Sequence, residues 1–192
     1  LTGEGGYIHG LRRIESPTVA FDWAPFNTIN GVLKNLYIAG VDLNATAISS
    51  SSISGLAVTN NGFVENVKFL TGKLSQNDPD VKLAGLVNVN SSTGILQDVS
   101  FEGSLIGDGQ IAGLVRNNSG TIRDAQAAGD LRIYNGGNLI AGVAITNTDS
   151  GVIRRVSMSS KLNADSFSVA ANNVGMVVET NSGTIEDVHV TS

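Results

Sequence analysis

Aliphatic residues return along this chain at a long, even interval, and each return begins at a glycine. The first anchor reads Gly31-Val-Leu-Lys-Asn-Leu, Gly62-Phe-Val-Glu-Asn-Val, Gly94-Ile-Leu-Gln-Asp-Val, Gly120-Thr-Ile-Arg-Asp-Ala, Gly151-Val-Ile-Arg-Arg-Val and Gly183-Thr-Ile-Glu-Asp-Val, with gaps of 31, 32, 26, 31 and 32 residues. Two places after the glycine stand Leu33, Val64, Leu96, Ile122, Ile153 and Ile185. Three places further stand Leu36, Val67, Val99, Ala125, Val156 and Val188; two beyond those stand Ile38, Phe69, Phe101, Ala127, Met158 and Val190. The last two columns alternate with polar positions, the period-2 mark of a strand with one buried face. No stretch sustains apolar spacing of three and four, so little or no helix is expected.

A second anchor lies between the copies of the first: Gly55-Leu-Ala-Val, Gly85-Leu-Val-Asn, Gly113-Leu-Val-Arg, Gly142-Val-Ala-Ile and Gly175-Met-Val-Val, with gaps of 30, 28, 29 and 33 residues. Chance does not hold two independent anchors to one period. Five or six places past each second glycine come Asn60, Asn90, Asn118, Asn147 and Asn181. Stacked at a corner, these asparagines would bond one coil to the next and tolerate left-handed backbone. The column Lys34, Glu65, Gln97, Arg123, Arg154, Glu186 and its neighbour Asn35, Asn66, Asp98, Asp124, Arg155, Asp187 are polar throughout. At the ~4.8 Å spacing of paired strands, Lys34 then sits over Glu65, Arg154 over Glu186, and Arg155 between Asp124 and Asp187. Asp98–Asp124 and Arg123–Arg154 are like-charged neighbours left to solvent screening.

A unit of roughly thirty residues with three short strands cannot bury an apolar face alone, whereas stacking buries it against the next unit. A sandwich lacks so strict a long period, and a propeller blade is longer and carries aromatic signatures. The expected fold is therefore all-β: a right-handed parallel β-helix, or β-solenoid, of about six coils, its hand set by the general preference of parallel crossovers. Residues 1–30 break the pattern with Phe21, Trp23, Pro25 and Phe26 and are expected to form an irregular leading coil or cap, with the solenoid proper over 31–192. Segments such as Asp78-Pro79-Asp80 and Gly107-Asp108-Gly109 are expected to be loops leaving the coil.

Composition narrows the function classes. Charged residues are 15% of the 192, below the roughly 25% of ordinary soluble domains. Glycine is abundant, at 23 residues, and proline scarce, at 3, which excludes collagen-like and disordered-linker chains. A net charge of −5 with basic pairs only at Arg12–Arg13 and Arg154–Arg155 argues against nucleic acid and anionic membrane surfaces. The lack of cysteine removes thiol catalysis, disulfide scaffolds and thiolate metal sites, and is compatible with export. No apolar run reaches the roughly 18 residues of a membrane span, so no membrane insertion is expected. Because the sequence opens at Leu1 and closes on the opening strand of a repeat, it reads as part of a longer chain.

The columns resemble the GLUG repeat, named for its Gly-Leu-hydrophobic-Gly core. The likeness is carried by Ala84-Gly85-Leu86-Val87, by Ala112-Gly113-Leu114-Val115-Arg116-Asn117-Asn118-Ser119-Gly120-Thr121-Ile122, and by Ser182-Gly183-Thr184-Ile185-Glu186-Asp187-Val188. It covers roughly residues 26–192, opening at Phe26-Asn27-Thr28-Ile29-Asn30-Gly31, while Asn88, Arg116 and Ile145 stand where the motif closes on glycine. The resemblance implies a bacterial secreted or cell-surface protein, either a large adhesin or the accessory region of an immunoglobulin A–cleaving metalloprotease. It implies a spacer or binding platform, with a host glycan or surface protein as partner, and supplies no catalytic residues.

Chemistry-bearing residues are sparse. His9 and His189 lie far apart and neither belongs to an H-E-x-x-H pattern, so zinc proteolysis has no motif here. His189 falls on an outward column with Lys68 and Ser157. Gly3-Glu4-Gly5-Gly6 is a poor phosphate cradle, with no helix after it. A glycan lyase or hydrolase would need clustered acids, often with calcium. The best cluster is Asp98, Asp124 and Asp187 with Arg123, Arg154 and Arg155, and column stacking accounts for it as a structural ladder. Asp78, Asp80 and Asp108 are candidate calcium ligands without the nonapeptide of calcium-binding rolls. Asn44, Asn90 and Asn117 open N-x-S/T sequons. The chain is accordingly read as non-catalytic, with no catalytic, metal or cofactor-binding residue assigned and no cofactor expected.

Overall fold

Each aliphatic column of the repeat becomes the buried side of a strand. The computed structural model describes residues 5–15, 22–45, 51–134, 139–164 and 173–191, which form an all-β parallel β-solenoid without a helix. The solenoid has about five turns. The sixth copy of the first anchor, Thr184–Val190, adds a strand to one sheet, and no described strand of the other sheets follows it.

Three parallel sheets run down the stack. The largest is laid down by the first anchor, through Val32–Ala45, Phe63–Gln76, Ile95–Phe101, Thr121–Ala127, Val152–Met158 and Thr184–Val190. In two coils this strand is 14 residues long. In later coils it breaks near Gly103 and Gly129, leaving a short second piece such as Ser104–Gly107 or Asp130–Ile133. These later coils therefore have four strand segments, whereas the two with the unbroken strand keep the three expected from sequence. The remaining two sheets flank the second anchor, as in Gln110–Ala112 before Gly113-Leu114 and Val115–Asn118 after it.

Register is strict. Leu96 pairs with Val64 on one side and Ile122 on the other, and Phe101 with Phe69 and Ala127. Val64, Leu96, Ile122 and Ile153 are fully buried, as are Phe69, Phe101, Ala127 and Met158. Burying each such side chain contributes about 1.5–3 kcal/mol, so the core is the main stabilising term. The Phe69 and Phe101 rings lie 4.8 Å apart. They fit because Gly103 and Gly129 leave room: a Cβ at either would come within 2.7 Å of a ring carbon.

One column departs from the sequence reading. Asn35, Asn66, Asp98, Asp124, Arg155 and Asp187 all have positive φ, between 51° and 56°. None of the ladder asparagines is among the positive-φ residues, so left-handed backbone belongs to the acidic column and not to the buried asparagine column. A left-handed residue inside a strand skips one place in the pairing: Gln97 pairs with Arg123 and Ser100 with Gln126, while Asp98 and Asp124 do not pair. This explains the three-residue step from Leu33 to Leu36 before alternation resumes at Ile38. Asn and Asp adopt this conformation at least cost among chiral residues.

The anchor glycines answer to space. A Cβ at Gly85 or Gly113 would lie 1.9 Å from the carbonyl oxygen of the equivalent glycine one coil on, and one at Gly94 would lie 2.3 Å from Asn90 Oδ1. None of these three has positive φ. The Gly107-Asp108-Gly109 segment is likewise no excursion, since all three residues are buried. Gly109 abuts the Val81 carbonyl, which fixes the turn within the stack.

Ahead of Gly31 the described residues follow the same order. Gly6–His9 and Arg12–Glu15 pair in parallel with Val32–Ala45, Trp23 bridges Ile53, and Phe26–Ile29 pairs with Ala57–Asn60. Thr2-Gly3-Glu4 and Phe21 lie outside the described residues.

Candidate functional site: a polar groove across the coils

The left-handed residues bend the first-anchor strand, and a groove of about 350 Å³ lies along the bend, crossing several coils. Asp98, Asp124, Arg155 and Asp187 line it as one row. Lys68, Ser100, Gln126, Ser157 and His189 line it as a second, held in mutual register by the strands beneath. The same outward column continues past Lys68 to Tyr37 and Tyr7, whose rings stack 5.1 Å apart.

Charges in the groove neutralise one another in pairs. Arg155 Nε and Nη2 donate to Asp124 Oδ1 and Oδ2 at 2.6 and 2.8 Å, a bidentate fork. The Arg155 hydrogen bond holds the Asp124 carboxyl below the ordinary aspartate range, partial desolvation opposes it, and the charges of Arg155, Arg123 and Arg154 assist. The same hydrogen bond raises Arg155, with the charges of Asp124 and Asp187 adding to it. Asp98 sits 3.8 Å from Lys68 Nζ, so the expected Asp98–Asp124 repulsion is met by a cation on each carboxylate. A general acid at neutral pH needs a raised carboxyl, and Asp124 moves the other way.

Beside the groove runs the second polar column. Lys34 Nζ lies 2.6 Å from Glu65 Oε2 and 5.1 Å from the centre of the Phe63 ring. Gln97 Nε2 donates to Glu65 at 3.4 Å and Arg123 Nε donates to Gln97 Oε1 at 2.9 Å. Arg123 thus bonds an amide away from Arg154. Arg154 and Glu186 align in register without forming an ion pair, and Arg154 Nε has no partner. Of the six residues in the sequence cluster, the groove gathers Asp98, Asp124, Asp187 and Arg155, while Arg123 and Arg154 stay outside it.

The remaining candidates disperse. His9 and His189 are exposed on strands at opposite ends of the largest sheet. Asp78 serves its own turn, its Oδ1 accepting from Asp80 N at 2.8 Å and its carbonyl from Val81 N at 3.1 Å. Among the described residues no group of three or more His, Cys, Asp and Glu could hold a metal ion. Asn90 is fully buried in the asparagine ladder and unavailable as a sequon, whereas Asn44 is exposed and Asn117 half-buried. No described helix is long and apolar enough to cross a membrane.

Sequence reasoning missed Ser100 and Gln126 as groove residues, because their column changes residue type at every coil. It also missed Arg116, which donates to Asn88 Oδ1 at 2.6 Å on the neighbouring strand of its own sheet and to Gln110 Oε1 at 3.3 Å in the adjacent sheet. Burial lowers the Arg116 pKa, partly offset by the charge of Asp22. These contacts tie one coil to the next and one sheet to its neighbour, a structural task. No protein-family model and no curated protein matches this chain.

Proposed function

We propose that this chain is a non-catalytic β-solenoid segment of a large extracellular bacterial protein, where it acts as an adhesin stalk or binding platform. The observation that carries this reading is the continuous axial pairing of strands, which shifts register only at the irregularity around Ala39 between the first two long strands. The strands of the largest sheet pair coil on coil from Gly6–His9 to Thr184–Val190, and the buried asparagine ladder follows the same axis. Such a stack transmits position along its length, about 4.8 Å per coil, and presents a long side wall to solvent. The resemblance of its columns to the GLUG repeat supports reading it as part of a secreted or surface-borne array. The pairing of Asp124 with Arg155, which holds the carboxylate ionised, suits a binding wall better than an acid catalyst.

Turnover tests the reading. The folded protein is incubated with panels of polysaccharides and of secreted host proteins, and release of reducing ends, unsaturated uronate or peptides is followed. The expected result is no product above the buffer control. Product release that disappears in Asp124→Asn would make the groove an active site and end the proposal.

A further inference from the structure

Axial pairing fixes how the stack answers a pull. The largest sheet begins with Gly6–His9 at one end and closes with Thr184–Val190 at the other, so a load applied through the two ends of the chain runs along the solenoid axis. Hydrogen bonds between paired strands lie across the strands, and here that direction is the axis itself. Each described strand pairs only with its equivalents one coil away. The side-chain contacts follow the same rule: Asn90 bonds Asn118, Asn118 bonds Asn147, and the Arg155 fork reaches Asp124 in the coil before.

Within a coil little holds. Among the described residues the backbone bonds inside one coil are those of its turns, as from Val81 N to Asp78 O, Gly94 N to Ser91 O and Gly151 N to Thr148 O. A coil stripped from its neighbour keeps no strand pairing of its own, so under tension it cannot stay folded. The joints between inner coils are alike in kind, each with one rung of the asparagine ladder and one buried aliphatic or aromatic side chain per column. Bonds pulled along their own direction open from one edge, a few at a time, whereas bonds pulled in shear resist together.

We propose that the solenoid is a load-limiting tether: pulled along its axis, it unwinds one coil at a time, each coil releasing its length as slack while the rest of the stack stays folded. This deepens the stalk reading and rests on it, since only a stalk carries such a load.

Coil length sets the size of each step. The first-anchor glycines are 31, 32, 26, 31 and 32 residues apart. An extended chain spans about 3.5 Å per residue, while a folded coil occupies about 4.8 Å of the axis. Steps of about 105 Å are therefore expected, with the step from the Gly94–Gly120 coil shorter, at about 85 Å.

The test is single-molecule force spectroscopy on the whole chain, held between two marker domains of known extension. A ladder of steps near 105 Å that contains one near 85 Å, both about as estimated from coil length, is the expected trace. Asn118→Ala should lower the force of the two steps that open its joints and leave the step lengths unchanged. The trace of the parent protein decides the inference even where that variant fails to fold. A single rupture that releases more than about 600 Å at once, or steps unrelated to coil length, overturns the tether and leaves a rigid stalk. Product release in the turnover assay would end the stalk reading itself, whatever the ladder of steps.

Discussion

Asn118 Nδ2 donates to Asn147 Oδ1 across 2.8 Å, one rung of a ladder in which Asn60, Asn90, Asn118 and Asn147 are all fully buried. Each Nδ2 also reaches a backbone carbonyl, as Asn118 does at Gly120 O, 3.2 Å away. The ladder thereby satisfies the side-chain amides and the turn carbonyls together, in a place water cannot enter. At its head Ile29 takes the asparagine position and closes the column with an apolar group.

Replacing Asn118 with Ala removes two rungs and leaves the Asn147 acceptor and one Asn90 donor direction unfilled inside the stack. A loss of about 2–4 kcal/mol is expected. Asn181→Ala, at the exposed foot of the ladder, should cost under about 1 kcal/mol. Urea melts of the two variants give the comparison, and equal losses would mean the ladder carries no weight.

The glycine columns yield a contrast of the same kind. Gly113→Ala drives a methyl against the Gly142 carbonyl, whereas a Cβ at Gly31 meets nothing within 4 Å. The first should cost about 3 kcal/mol or more by forcing coils apart, the second almost nothing. A Tm series reads both.

Ile122 and Val156 are buried at 0% and 1% exposure in two of the three inward columns. Asp at either position strands an unpaired carboxylate among aliphatic groups, and the stack should unfold or lose at least about 4 kcal/mol. Variants melting within a degree or two of the parent would place these columns on the wrong face.

How much of this was readable from the chain follows from what repeats. The buried columns and the asparagine ladder recur in kind at every coil, so spacing alone exposes them. The left-handed column carried a signal too: the three-residue step from Leu96 to Val99 with an Asn or Asp before the second aliphatic residue in five of six copies. Its charges point equally to ion pairs, which masks that signal. The groove is legible in part: spacing aligns Lys68, Ser157 and His189 and clusters Asp98, Asp124, Asp187 and Arg155, while Ser100 and Gln126 join them only through register.

Arg155 is the sole residue of the left-handed column that is neither Asn nor Asp. Its fork onto Asp124 is the compensating contact. Arg155→Asn keeps a side chain suited to positive φ and loses only the exposed pair. Arg155→Val adds β-branched strain, so it should be less stable than Arg155→Asn by about 1–2 kcal/mol. Similar stability for the two in chemical denaturation would separate backbone strain from this position.

Acid should find the same pair. Asp124 has a folded pKa below its unfolded value, so its contribution is present above the unfolded value and fades as pH falls through the folded one. The parent should therefore lose stability over Asp124→Asn as pH drops below about 4. Parallel Tm profiles for the two proteins through that range would show that the fork adds nothing.

A glycan and extracellular-matrix array on the folded chain, run with and without calcium, decides whether the proposed platform binds without reacting. Saturable binding to at least one glycan or matrix protein is expected, with the ligand recovered unchanged. Silence on every ligand from a demonstrably folded protein would remove the platform and leave the stalk, and recovery of cleaved glycan would contradict both.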